Sequence, residues 1–146
     1  MKSTTDKYLS VLIAEDDPIM QELLQQFLTE NVPGIKITLV PDGAKAVHFL
    51  NTCPQEERPG VILLDYNMPL MTGEEVLRKI YGDDRYNAVP KIILSSWVHP
   101  ERLQNCVALG MTKFLTKPAS FSEFNTLVKE IISLPIAGLQ AAELPK

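Results

Sequence analysis

The stretch Val61-Ile62-Leu63-Leu64-Asp65-Tyr66-Asn67-Met68-Pro69 decides how the chain reads. Its first four residues are consecutive apolar side chains, a run that suits a strand buried on both faces. A carboxylate, Asp65, closes the run, and a turn follows through Pro69 to Gly73. An acid at the end of a buried strand is cut off from bulk water. It must face a crevice, a cation or a substrate, unless it merely caps the helix that follows. The residues on either side decide between these readings.

Before the stretch, residues 9–14 form a short apolar run, a first strand that ends at Glu15-Asp16-Asp17. Asp17 suits the N-cap and Pro18 the first position of a helix. That helix is expected to bury Ile19, Leu23 and Phe27, with Met20, Leu24 and Leu28 beside them. Pro33-Gly34 stops it, and Ile35, Ile37 and Leu39 alternate with polar residues as in a strand near a sheet edge. Asp42-Gly43 turns into a second helix over residues 44–50, and a polar loop over 52–60 leads back to the Asp65 strand.

After the stretch, Val76, Leu77 and Ile80 give a third helix its inner face, and residues 91–95 make a fourth strand. Pro100 opens a fourth helix with Leu103 and Val107 inward, and Gly110 fits its C′ position. Residues 113–116 are a fifth strand. Ser120-Phe121-Ser122-Glu123 has capping-box spacing, followed by Phe124, Leu127, Val128, Ile131 and Ile132 at helical spacing, before Pro135. The pattern is (βα)5, an α/β chain with a parallel sheet and helices on both faces.

Composition is that of a soluble globular domain: 146 residues, 45% hydrophobic, 22% charged, net charge −4. No basic run points to nucleic acid or to a membrane surface, and no long apolar stretch or signal peptide is visible. The cysteines, Cys53 and Cys106, match no metal spacing and read as free thiols in a reducing cytoplasm. His48 and His99 read as solvated, and Met68 and Met71 as loop packing.

In open α/β sheets, ligands bind beyond the carboxyl ends of the strands, where the winding reverses. Those ends carry Asp16 and Asp17, Asp65, Ser95 and Lys117. Carboxylates at ~4 Å with an effective dielectric near 20 repel by roughly 4 kcal/mol per pair, so protonation or a cation must relieve them. Hard oxygen ligands of this kind suit Mg²⁺. A lysine and a hydroxyl suit phosphate oxygens, and a carboxylate beside Mg²⁺ can attack phosphorus. Asp65 therefore reads as a phosphoryl acceptor with its metal.

With Asp16-Asp17, Asp65 to Pro69, Gly73, Ser95 and Lys117-Pro118 in this order, residues 9–133 resemble a response-regulator receiver domain of the CheY type. The resemblance implies a flavodoxin-like, doubly wound five-stranded parallel sheet in the order 2-1-3-4-5. It implies that Asp65 takes a phosphoryl group from a phosphohistidine on a partner, and that Asp16, Asp17, Asp65 and the main-chain carbonyl of Asn67 hold Mg²⁺. Lys117 would bind a phosphoryl oxygen, with a cis bond to Pro118, and Ser95 would swing onto the phosphoryl group. Phe114 would turn inward as the switch aromatic, where the family often has Tyr. Ser96 stands where the family prefers a smaller residue. Asn67 and Trp97, two residues past Asp65 and Ser95, are placed to tune self-dephosphorylation.

The expected organisation is an N-terminal extension over 1–8, a receiver domain over 9–134 and a tail over 135–146 that reads as a disordered terminus. No output region is expected after it. The chain is then a cytoplasmic, single-domain, non-enzymatic response regulator. Its partners would be a histidine kinase or histidine phosphotransfer protein and a downstream target, with neither nucleic acid nor membrane. The face read by partners would be the fourth helix, fifth strand and fifth helix, which leaves room for a homodimer. Similar single-domain receivers pair with phytochrome-type and other histidine kinases. A haloacid-dehalogenase-type phosphatase would need an acid at position 67, where Asn67 cannot transfer a proton. A flavodoxin-like cofactor binder would meet repulsion from Glu15-Asp16-Asp17. A receiver-like module that binds without phosphorylation is the remaining alternative.

Overall fold

A computed structural model describes residues 9–134 and Ile136. The elements are β1 (Ser10–Ala14), α1 (Pro18–Asn31), β2 (Lys36–Val40), α2 (Gly43–Thr52), β3 (Val61–Asp65), α3 (Gly73–Ile80), β4 (Lys91–Ser95), α4 (Pro100–Ala108), β5 (Lys113–Thr116) and α5 (Phe121–Ile132). A single 3₁₀ turn, Gln55–Glu57, precedes β3. The strands form one parallel sheet in the order β2-β1-β3-β4-β5, as the resemblance implies.

The central strand explains the two-sided burial. All five residues of β3 are buried. Alternate side chains of a strand point to opposite faces, so Val61 and Leu63 join Leu24, Phe27, Leu28, Phe124 and Val128 in a core under α1 and α5. Ile62 and Leu64 join Ala46, Leu50, Val76, Leu77 and Cys106 in a second core under α2, α3 and α4. Each such leucine removed from water is worth about 1.5–3 kcal/mol. Register puts Ala14 opposite Leu64, Asp65 opposite Leu94 and Ser95 opposite Thr116, so the strand ends line up at one rim.

Several local expectations need correction. Ile19 is 69% exposed, because it sits in the first turn of α1 beyond the sheet; the buried stripe runs through Leu24, Phe27 and Leu28. In α4 the stripe follows three-residue steps: Leu103 and Leu109 are half-buried and Cys106 is buried, while Val107 is 60% exposed. Cys packs as a small hydrophobe, which the apolar spacing did not register. Ser120 accepts the Glu123 N–H as an N-cap should, but Glu123 Oε2 takes the N–H of Ala119, not Ser120, so the box closes one residue early. A complete capping box stands at Thr72 and Glu75 instead. Helix α2 extends to Gly43–Thr52, and Gly110, with φ of 95°, takes the left-handed position after α4 as expected. Among the described residues no peptide bond is cis, so Lys117–Pro118 is trans. An X-Pro bond prefers trans by only about 0.5–1 kcal/mol, and no feature of this sequence specifies the other isomer.

Both cysteines are free. Ile136, placed in the expected tail, is buried in the α1/α5 core. Residues 1–8, Pro135 and 137–146, including Leu139, Ala142 and Leu144, lie outside the described residues.

Candidate functional site

The site grows from the rim of the sheet. β3 ends on Asp65, which is 3% exposed, with Oδ1 accepting the N–H of Asn67 at 3.2 Å. β1 ends at Ala14, and the side chain that follows, Glu15, turns inward and is 1% exposed. Its Oε2 accepts the N–H of Asp17 at 3.0 Å, and its carbonyl accepts from Gln21 Nε2 at 2.6 Å. From the end of β5, Lys117 reaches across, with Nζ 3.0 Å from Asp65 Oδ2 and 3.0 Å from Glu15 Oε1. Carboxylate oxygens of Glu15, Asp16 and Asp65 lie within 4.8 Å of one another.

The cluster holds Glu15 beside Asp16, at the place where the sequence reading expects Asp17. Asp17 does not join that group: its carboxylate accepts the Ile19 N–H at 3.0 Å and caps α1. A carboxylate holding a helix N-terminus is committed there by both a hydrogen bond and the helix dipole. Glu15 was missed, although the position of the strand end supplied the signal. The first residue past a buried strand is the one still directed into the fold.

The charges are poorly balanced. Burial pushes the Glu15 carboxyl up to about 7; the Asp17 N–H opposes this, the Asp65 charge adds to it, and Lys117 counters it. Burial would depress Lys117, but Asp65 and Glu15 outweigh it and hold the ammonium above the usual lysine value. Lys117 sits at ion-pair distance from Glu15 Oε1 without hydrogen-bond alignment, so that buried oxygen has no hydrogen-bond partner. An orphaned carboxylate oxygen beside exposed Asp16 and buried Asp65 is a donor set that fits a hard divalent cation.

A cleft of about 290 Å³ opens over these groups. It is lined by Asp16, Asp65 and Lys117 together with Asn67, Ser95, Ser96 and Trp97. Ser95 is 2% exposed and its hydroxyl donates to the Trp97 carbonyl at 3.2 Å. Trp97 is 67% exposed and meets His99 edge to face, with ring centroids 5.9 Å apart. His99 Nδ1 accepts the Glu101 N–H, so this histidine caps α4. Phe114 on β5 is half-buried against the second core, and not on the cleft.

Gly73 completes the frame. A Cβ there would lie 2.9 Å from the Asp65 carbonyl, 3.0 Å from Ile93 Cδ1 and 3.2 Å from Tyr66 Cα, so only glycine lets α3 start this close to the acceptor strand.

A doubly wound parallel sheet that gathers carboxylates, a hydroxyl and a lysine at its carboxyl rim defines an open α/β domain with its polar site where such sheets bind ligands. Residues 11–129 match the response regulator receiver domain, and the chain belongs to that family. It is similar to the two-component response regulator ARR17 of Arabidopsis thaliana, 32% identical over 133 residues and covering 86% of each chain. Among solved structures it is similar to the phosphorylated cyanobacterial phytochrome response regulator RcpA, with 27% identity and a TM-score of 0.79 over 95% of this chain and 99% of that one. It is also similar to the Mn²⁺-bound form of response regulator Rcp1, with 26% identity and a TM-score of 0.76 over 94% and 99%. Receivers of this family are signalling modules of two-component phosphorelays. Among the described residues no helix is long and apolar enough to cross a membrane.

Proposed function

We propose that Asp65 accepts a phosphoryl group from a phosphohistidine of a histidine kinase or histidine phosphotransfer protein, in a Mg²⁺-dependent step. The observation that carries the reading is the buried Asp65 carboxylate with Lys117 Nζ at 3.0 Å, beside the buried Glu15 carboxylate and Asp16. Glu15, Asp16, Asp65 and the main-chain carbonyl of Asn67 would hold the metal, with Glu15 in the role expected of Asp17. The bound ion would neutralise the carboxylates and the incoming phosphoryl oxygens. The Mn²⁺ of the similar Rcp1 and the phosphorylated state of the similar RcpA support this reading.

In the transfer, an Asp65 oxygen attacks phosphorus, the phosphorus–nitrogen bond breaks, and its electron pair stays on the donor imidazole. Lys117 then exchanges its contact with Asp65 for a phosphoryl oxygen. Ser95 leaves the Trp97 carbonyl and donates to another. Phe114 follows inward, and partner proteins read the change on α4, β5 and α5. The groove of about 430 Å³ between β5 and α5, lined by Phe114, Leu115, Thr126 and Leu127, supports that face as the readout surface. The receiver spans residues 9–134 and acts in the cytoplasm as a binding module.

With Mg²⁺ and acetyl phosphate, the intact chain should gain the mass of one phosphoryl group, labile to hydroxylamine. Asp65→Asn should abolish the gain; full labelling of that variant would remove the assignment.

A further inference from the structure

Glu74 is a buried carboxylate that the phosphoryl chemistry does not use. It lies in the first turn of α3 and is 5% exposed. Three donors converge on it. The Tyr66 hydroxyl, from the residue after Asp65, donates to Oε1 at 3.1 Å. On the other oxygen, Arg78 Nη2 of the same helix donates at 3.2 Å, and Arg102 Nη1 of α4 stands at 3.5 Å. Arg102 is the link that crosses between helices, and its own side chain is 61% exposed. Tyr66 feels the same surroundings: burial and the Glu74 carboxylate push its phenol up to about 12.

We propose that Glu74, through Arg102, braces the first turn of α4 in the resting position, and so opposes the rearrangement that follows phosphorylation; this rests on the phosphoacceptor reading of Asp65. The geometry supplies the reason. Ser95 is joined to Pro100 by four residues, Ser96 to His99, so releasing the Trp97 carbonyl displaces the segment that leads into α4. The start of α3 is tied to β3 instead: the Gly73 N–H is held by the Tyr66 carbonyl at 2.9 Å, and its backbone lies so close to the Asp65 carbonyl that a Cβ would clash there. The displacement therefore falls on the Arg102–Glu74 contact. Glu74 acts as a positioning residue that biases an equilibrium between two arrangements; whatever weakens the brace raises affinity for a ligand that selects the active one.

The test titrates the full chain with beryllofluoride in the presence of Mg²⁺, followed by amide NMR shifts. Arg102→Gln cuts only the inter-helix link, and should lower the half-saturating concentration by about 5-fold or more. Its unliganded shifts in the first turn of α4 should lie on the line between free and bound wild type, which a purely stabilising contact would not produce. Glu74→Gln should act in the same direction, and the double variant should exceed neither single by much, since both break one contact. Unchanged half-saturation in Arg102→Gln, shifts off that line, or fully additive effects would each overturn the brace alone. A wild-type chain that binds no beryllofluoride would overturn the phosphoacceptor reading and the brace together. Arg102→Gln keeps the test decisive should Glu74→Gln not fold.

Discussion

Glu15 and Asp17 are acids two residues apart with opposite fates, and the difference is set by a few ångströms of backbone. Glu15 is buried at the end of β1, with one oxygen beside Lys117 and Asp65. Asp17 is exposed and spends its carboxylate on the α1 N-terminus. Substituting each should therefore separate binding from stability. Glu15→Gln should weaken Mg²⁺ binding, measured by calorimetric titration, with a smaller effect on folding. Asp17→Ala should lower unfolding free energy by about 0.5–2 kcal/mol through the lost cap, while leaving the Mg²⁺ isotherm largely unchanged. The reverse pattern would restore Asp17 to the metal. Asp17, directly before Pro18, is legible as an N-cap in the sequence. The inward turn of Glu15 depends on where β1 ends, and boundaries are the part of a sequence pattern that local propensity fixes least.

At the scale of the element, α4 is the helix whose reading needed the most revision. Apolar spacing selects Leu103 and Val107, whereas the helix turns Cys106 to the sheet and leaves Val107 to solvent. The buried thiol has a measurable signature. Burial, with the Glu74 charge, pushes Cys106 up to about 11. A group raised in the folded state contributes stability that is complete below its unfolded value, near 8.5, and is lost as pH rises towards the folded value. Stability measured by urea unfolding should thus fall between pH 9 and 11, and Cys106→Ala should flatten that slope. Alkylation in native buffer should mark Cys53 and spare Cys106 until the chain unfolds. The long apolar run of β3, the caps Asp17 and Ser120, and the stop at Gly110 were all legible, because each depends on neighbours in sequence. The exposure of Ile19 was not, since tertiary surroundings settle it; the Thr72-x-x-Glu75 box is local and was open to reading.

The whole molecule was legible further than its details. Strand-and-helix alternation implies the parallel sheet, and the resemblance supplied the order 2-1-3-4-5 found here. The rim site followed from that architecture, except for Glu15, and the Tyr66–Glu74–Arg102 contact left no trace in the sequence because its members are brought together only by packing of α3 on α4. A rim that crowds carboxylates should make the fold responsive to its cation. A ligand at 100 times its dissociation constant stabilises the native state by about 2.7 kcal/mol, which for a domain of this size raises the thermal midpoint by roughly 9–10 °C. Mg²⁺ should do so and a chelator should reverse it; an unmoved midpoint would mean that the acidic cluster holds no metal. The same sheet also has two open borders, β2 and β5. Unpaired strand borders are templates for fibrous growth, and proteins blunt them with brevity and charge. Here the β5 border is four residues long. Lys113 opens it, 3.6 Å from Glu130, and Lys36 opens the other, 3.7 Å from Glu57. Each border thus carries a cation anchored to a neighbouring segment, which disfavours the addition of a foreign strand.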